Sequence, residues 1–282
     1  AVSAALVGVD AVVHLAAKVG LGVDVHDMRD YADTNVTGTA TLLSAMVDAG
    51  VRRLVLASSM VVYGEGVGRC DTHGLVRTTP RLVDDLTRAM FEPRCPACGQ
   101  SLDPALVDDD TPLDPRNTYA ISKLTQEQFA EDWSRSAQSS VLALRYHNVY
   151  GPGMPRNTPY AGVAAIFLSA LRNGQPPQVF EDGGQRRDFV HVRDVARATA
   201  AAVDRTEQGL RTLNIGSGVP RTVGDLAQAL AASTGGPAPV VTGEFRLGYV
   251  RHITADSTRA RAGLDWQPDV EFEQGVAELA RD

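Results

Sequence analysis

The sequence predicts an α/β protein built on a Rossmann-type, doubly wound parallel sheet. Apolar runs at 11–17 (AVVHLAA), 53–57 (RLVLA) and 140–145 (SVLALR) have the length and continuity of strands buried on both faces. Stretches with helical spacing separate them, at 31–47 and 118–135. The alternation continues with a strand at 188–192, a helix at 193–204, a strand at 211–215 and a helix at 223–233. Strands and helices in strict alternation form a parallel sheet covered on both sides.

Residues 1–10 read as the end of a helix, and Gly8 and Lys18 bound the first strand. Tyr31, Val36, Ala40, Leu43, Met46 and Val47 fall on one helical face, with Gly50 as the stop. Residues 118–135 form a strong amphipathic helix. Val149-Tyr-Gly-Pro-Gly153 breaks the third strand, and helical spacing returns at 161–172. Residues 66–108 leave this rhythm. They carry little apolar periodicity, all three cysteines, several prolines and charges of both signs. A segment of that length without regular structure requires something to staple it.

Composition narrows the function classes. The 282 residues are 44% hydrophobic and 22% charged, an ordinary globular balance that excludes wholesale disorder. No apolar run approaches the ~20 residues of a membrane span, so no membrane partner is expected. With 27 basic against 34 acidic residues the net charge is −7, and the arginines are scattered. No nucleic-acid partner is expected of such a surface. Three cysteines, an odd number, and no visible signal peptide point to a reducing, cytoplasmic setting.

Two segments carry candidate chemistry in the main body. Tyr119-Ala-Ile-Ser-Lys123 opens the helix at 118–135, and positions i and i+4 share a helix face. An ammonium beside a phenol lowers its pKa toward neutrality and makes it usable as a general base. A surface Tyr/Lys pair would have the same spacing. Ala57-Ser58-Ser59 ends a strand, where ligands of doubly wound sheets bind. A serine there can bond a substrate hydroxyl, or merely cap the next turn.

The insert has its own pattern. Cys70-x-x-His73 is followed by Cys95-Pro-Ala-Cys98-Gly99. Two such pairs supply the four ligands of a tetrahedral structural zinc site, with Gly99 letting backbone N–H groups approach the sulfurs. The alternative is three free thiols and a surface histidine. His14 and His191 sit in strand-like runs and read as packed core histidines.

Taken together, these motifs resemble the extended short-chain dehydrogenase/reductase family, the NAD-dependent nucleotide-sugar epimerases and dehydratases. The resemblance rests on His14-Leu-Ala-Ala17, Asn35-Val-Thr-Gly-Thr39, Ala57 to Gly64, Tyr119 to Lys123, Leu144 to Gly153, Arg187-Asp-Phe-Val-His-Val192 and Asn214-Ile-Gly-Ser-Gly218, in the family's order. It implies Tyr119 as acid/base, Lys123 as its partner on the nicotinamide ribose, and Ser59 as the third catalytic hydroxyl, with Ser58 as competitor. It implies NAD contacts at Ala16, Ala17, Lys18, Asn35, Ser58, Tyr119, Lys123 and Tyr146. Substrate contacts fall on Ser59, Asn148, Arg187 and Arg246, the last three at the sugar nucleotide's diphosphate. Arg187 could instead pair with Asp188 or Asp182. Phe180 could stack on the nucleobase or belong to the core. A homodimer through the helices at 34–48 and 118–135 is also implied.

Two departures matter. The family's opening strand, glycine-rich turn and helix are absent, which corresponds to about 50–60 residues before Ala1. The chain as it stands is expected to bind NAD weakly. The 4,6-dehydratases carry an Asp-Glu pair after the catalytic hydroxyl, and here Met60 and Val61 occupy those positions. Neither moves a proton, so the expected reaction is 4-epimerisation through a 4-keto intermediate. A 4-ketosugar reductase, or a non-catalytic nucleotide-sugar-binding protein, are the rival readings. The insert resembles one found in epimerases acting on dTDP-linked 6-deoxyhexoses. The expected organisation is an NAD-binding part (1–65, 109–149 and 188–216), a zinc-binding insert (66–108) and a substrate-binding part (150–187 and 217–282).

Overall fold

The computed structural model describes residues 2–20, 24–155 and 161–282. Portions of the expected NAD-binding and substrate-binding parts that fall on 21–23 and 156–160 lie outside the described residues. Four parallel strands form the central sheet: β1 (Val12–His14), β2 (Arg53–Ser59), β3 (Ser140–Tyr146) and β4 (Gly209–Ile215), side by side in that order.

The apolar runs are continuous because both faces are covered. Leu54, Leu56, Val141 and Ala143 point into one core with Leu43, Met46, Ala130 and Trp133. Val55, Leu142, Leu144, Leu213 and Ile215 point into the other with Val195, Ala198, Leu264 and Trp266. The helices are α1 (Gly38–Ala49) and α2 (Thr118–Ser136) on the first face, and α3 (Val192–Val203) on the second. Asn117 starts α2 by accepting the Ala120 N–H on its side-chain oxygen, at 2.9 Å.

Two expectations shift. A π-helical turn, Ala32–Thr37, precedes α1, and its extra residue per turn rotates the face. Tyr31, Asn35, Thr39 and Leu43 are buried at a spacing of four, whereas Ala40 and Val47 are exposed. The strand Arg186–His191 is absent from the central sheet. It pairs in parallel with Asn148–Tyr150 and His252–Ile253 and antiparallel with Pro220–Thr222. An apolar run reads alike in either sheet, so spacing alone could not assign it.

The insert is more regular than its sequence predicts. Val67–Cys70, Gly74–Arg77 and Asp103–Pro104 form a small antiparallel sheet, and Val83–Thr87 a short helix. Its own apolar cluster is only Cys70, Cys95 and Leu102 with Val76 against them, while Val67 and Val107 pack against Val62, Tyr63 and Ile253 of the main body. So small a core cannot hold a sheet by hydrophobic burial alone.

Candidate active site

The carboxyl ends of β1 and β2 and the first two turns of α2 meet at one corner. Ser59 ends β2 in extended backbone and caps the 3₁₀ turn Met60–Tyr63, its Oγ accepting the Val61 N–H at 3.4 Å. Its hydroxyl also faces the Tyr119 phenol, on which it acts to lower the pKa. Ser58 faces the other way and donates to Glu127. The structure therefore brings Ser59 to the phenol and commits Ser58 to a buried carboxylate.

Lys123 lies one turn beyond Tyr119, 3% exposed, and donates to the Ala57 carbonyl at 2.8 Å. Burial pulls its ammonium down from 10.5 to about 8. The expected depression of the phenol is absent. Burial pushes Tyr119 up to about 12, outweighing the opposing effect of Ser59, and the neighbouring Tyr31 adds to the rise. Helical spacing puts the two residues on one face, but the lysine's charge is spent on a carbonyl of β2.

Beyond β1 the loop of Ala16, Ala17 and Lys18 is fixed by Asn35. The Asn35 Oδ1 accepts the Lys18 N–H at 2.7 Å, and its Nδ2 donates to the Lys18 carbonyl at 3.0 Å and the Ser122 Oγ at 2.8 Å. The π turn aims Asn35 inward between the loop and α2. Ala16 is exposed and Ala17 partly so, and the Lys18 ammonium pairs with Asp27 and Asp30. Beneath this loop, His14 bonds the Thr39 Oγ1 at 2.9 Å, and burial lowers its pKa to about 4. It is a core histidine, as is His191, which caps α3.

The substrate-side candidates split. Asn148 has its Oδ1 buried without a partner among the described residues. Phe180 is only half-buried, and the exposed Arg246 lies over its ring with 4.9 Å to the centroid. Both line a cleft of about 560 Å³ with Thr242, Gly243, Glu244 and Phe245. Phe180 is therefore a wall residue, not core. Arg187 is half-buried and pairs with neither Asp188 nor Asp182. It donates to the carbonyls of Arg186, Val250 and Arg251 at 2.7–2.9 Å. Tyr146 bonds the Thr199 Oγ1 at 2.7 Å.

Sequence reading missed the support beneath this corner. Arg145 forms a two-pronged pair with Glu127 and donates to the Tyr63 hydroxyl, which donates to Asn214. Glu127 lies four residues past Lys123, and Arg145 interrupts an apolar strand. Those two signals were available.

In the insert, the ligand atoms of Cys70, His73, Cys95 and Cys98 all lie within 4.8 Å of one another. The Cys70 and Cys98 sulfurs are 3.6 Å apart, and the His73 Nδ1 is 3.5 Å from the sulfurs of both Cys70 and Cys95. A zinc ion with bonds near 2.3 Å to sulfur and 2.0 Å to nitrogen has ligand edges of about 3.5–3.8 Å. The donor set fits. Backbone N–H groups of His73 and Thr72 drive the Cys70 thiol down to about 6. Cys98 is raised. The Gln100 N–H works against the rise, but burial and the other two thiols outweigh it.

The sequence profile of the NAD dependent epimerase/dehydratase family matches residues 1–81 and 95–216. The dTDP-L-rhamnose 4-epimerase of Burkholderia thailandensis is 35% identical over 270 residues, covering 95% of this chain and 73% of that protein. The UDP-glucose 4-epimerase of Mycolicibacterium smegmatis is 33% identical, covering 95% and 74%. Among solved structures, MoeE5 in complex with UDP-glucose and NAD is 29% identical, with a TM-score of 0.77 over 99% of this chain and 81% of that one.

Proposed function

The chain belongs to the NAD dependent epimerase/dehydratase family, and from that premise we propose that it is an NAD-dependent nucleotide-sugar 4-epimerase with a dTDP-linked 6-deoxyhexose as substrate. The observation that carries the reaction is the hydroxyl pair Ser59–Tyr119 beside Lys123, with Met60 packed among apolar neighbours where a dehydratase needs an acid. The dTDP assignment is supported by the insert and by the similarity to a dTDP-L-rhamnose 4-epimerase.

NAD, when bound, supplies the acceptor for the C4 hydride and returns it. The chain's own residues do the rest. Tyr119 takes the proton of the sugar 4-hydroxyl, with Ser59 holding that oxygen in place, and gives it back after the 4-keto sugar has turned over. Lys123 and the loop anchored by Asn35 would hold the dinucleotide's ribose and nicotinamide end. The chain contains no glycine-rich turn for the pyrophosphate. Among the described residues nothing pairs with the outer edge of β1, and Val13 and Leu15 are exposed there. Phe180, Asn148 and Arg246 would face the nucleotide and diphosphate, with Arg187 behind them. Cys70, His73, Cys95 and Cys98 would hold a structural zinc, with no position left for a water. The division into an NAD-binding part, insert and substrate-binding part, the homodimer through α1 and α2 and the cytoplasmic location belong to the same proposal.

The test uses substrate deuterated at C4. An epimerase keeps the label at C4 through interconversion and shows no net change in reduced nicotinamide. Stoichiometric consumption of NADH or NADPH would establish a reductase instead.

A further inference from the structure

The insert's outer end reaches the nucleotide wall through ion pairs gathered around the buried Arg251 and Glu181. The Glu92 carboxylate uses both oxygens. Oε1 accepts from the Arg251 Nε and Nη2 at 3.0 and 2.6 Å, and Oε2 lies 2.6 Å from the His252 Nε2. The His252 Nδ1 accepts the Arg186 N–H at 3.1 Å, so Nε2 carries the proton and donates to Glu92. Arg251, 2% exposed, continues to Glu181 at 2.8 Å and to both oxygens of Asp182. Arg81, also from the insert, joins the Glu181 Oε1 at 2.8 Å and the Tyr249 carbonyl at 2.7 Å.

These anchor points flank the two wall residues in sequence. Glu181 follows Phe180, and its backbone N–H donates to the Glu244 carbonyl at 2.7 Å. Tyr249 and Arg251 close the loop that carries Arg246, whose Nη1 bonds the Tyr249 hydroxyl at 3.2 Å. The side-chain ties of Arg81 and Glu92 to the wall therefore end on residues 181 and 249–252, whereas Val107 at the insert's end bonds Thr254, Asp256 and Asn214. The body holds the same segments from the other side, through Gln185 on the Phe180 carbonyl, Arg187 on the Val250 and Arg251 carbonyls and Glu65 on the Arg251 N–H, so the insert's ties fix the remaining freedom of the wall.

We propose that Arg81 and Glu92 are positioning residues through which the insert sets the Phe180–Arg246 wall for the nucleoside diphosphate of the substrate. The inference rests on the reading of that wall as the nucleotide site. Loss of either tie should weaken nucleotide binding without touching hydride transfer.

The experiment measures dTDP and UDP affinity by calorimetry, and KM and kcat with the nucleotide sugar. Glu92→Ala is expected to raise both dissociation constants and KM about tenfold. Its kcat at saturation should stay within about twofold, since the catalytic corner keeps its own supports. The variant keeps its fold because Arg251 retains Glu181 and Asp182, and Glu92 is 40% exposed. Arg81→Met should act in the same direction, with Arg81→Lys closer to wild type. A folded Glu92→Ala that binds dTDP as wild type does would overturn the inference and leave the function standing. If Glu92→Ala does not fold, the ratio of Arg81→Met to Arg81→Lys decides in its place. A wild-type chain that binds no nucleoside diphosphate removes the functional reading, and this inference with it.

Discussion

Two buried polar clusters serve the two halves of the site, and they are built differently. The cluster under the catalytic corner (Ser58, Glu127, Arg145, Tyr63 and Asn214) joins residues carried by β2, α2, β3, β4 and the turn after β2. Those elements are already locked by the sheet ladder and two apolar cores. The cluster behind the nucleotide wall (Arg81, Glu92, Glu181, Asp182 and Arg251) joins loops and an insert with almost no core of its own. Desolvated charges gain little net stability even when paired. In the first cluster they refine a geometry that the fold imposes, whereas in the second they create it. On the proposed function, the hydride-transfer chemistry would sit on the rigid half and the nucleotide on the half that an insert can retune.

The sharpest way to break this contrast is to disable each half separately. Tyr119→Phe should leave the fold and dTDP affinity intact and lower turnover by about 10²–10⁴-fold, the range of general acid–base catalysis. Turnover within a few-fold of wild type would take Tyr119 out of the acid/base role, and weakened dTDP binding would show that the two halves are not independent.

A smaller effect on turnover, and a larger one on order, is expected in the insert. Elemental analysis should find about one zinc per chain. Cys95→Ser should lose it and open residues 66–108 to protease, because no apolar core replaces the metal. Glu92 lies three residues before Cys95, so the same variant should raise KM for the nucleotide sugar while kcat falls much less. A metal-free protein with an ordered insert would remove the zinc proposal.

The same contrast decides what the sequence could disclose. The strands at 53–57, 140–145 and 211–215 and the helix at 118–135 were legible because continuous apolar runs and helical periodicity report burial directly. Ser59, Tyr119, Lys123 and Asn35 were legible through local motifs, and the four zinc-site candidates through their paired spacing. The π turn that rotates Ala40 and Val47 outward leaves no local mark. The placement of Arg186–His191 in a second sheet was hidden because either sheet accepts the same apolar pattern. Arg81, Glu92, Glu181 and Arg251 were invisible for a physical reason. Their partners in the cluster lie 69 to 168 positions away, and an isolated Arg or Glu in a polar loop reads as a solvated surface charge. The expected drop in the tyrosine's pKa fails on the same ground, since spacing predicts proximity to Lys123 but not the Ala57 carbonyl that accepts the lysine's hydrogen bond.

The smallest expected effect concerns stability and sharpens the claim that the catalytic corner holds its charge against the fold. Lys123 is shifted from 10.5 to about 8 because burial disfavours its ammonium. A base depressed on folding contributes stability above its unfolded pKa that is lost as pH falls through its folded value. At pH 7, therefore, the full penalty of the buried ammonium acts on the protein, corresponding to about 3 kcal/mol. Lys123→Met removes that penalty along with the bond from the charged ammonium to Ala57, which contributes about 2 kcal/mol. The variant should be more stable than wild type at pH 7 by about 1 kcal/mol, with turnover lost. The advantage should shrink as pH rises from 8 toward 10.5, where wild-type Lys123 is neutral in the folded chain and becomes neutral in the unfolded one. Denaturant melts of both proteins across that range check it. Equal stabilities at pH 7, or a gap that widens with pH, would mean that the Ala57 carbonyl and Glu127 compensate the buried charge in full. The catalytic corner would then be as relaxed as the rest of the sheet.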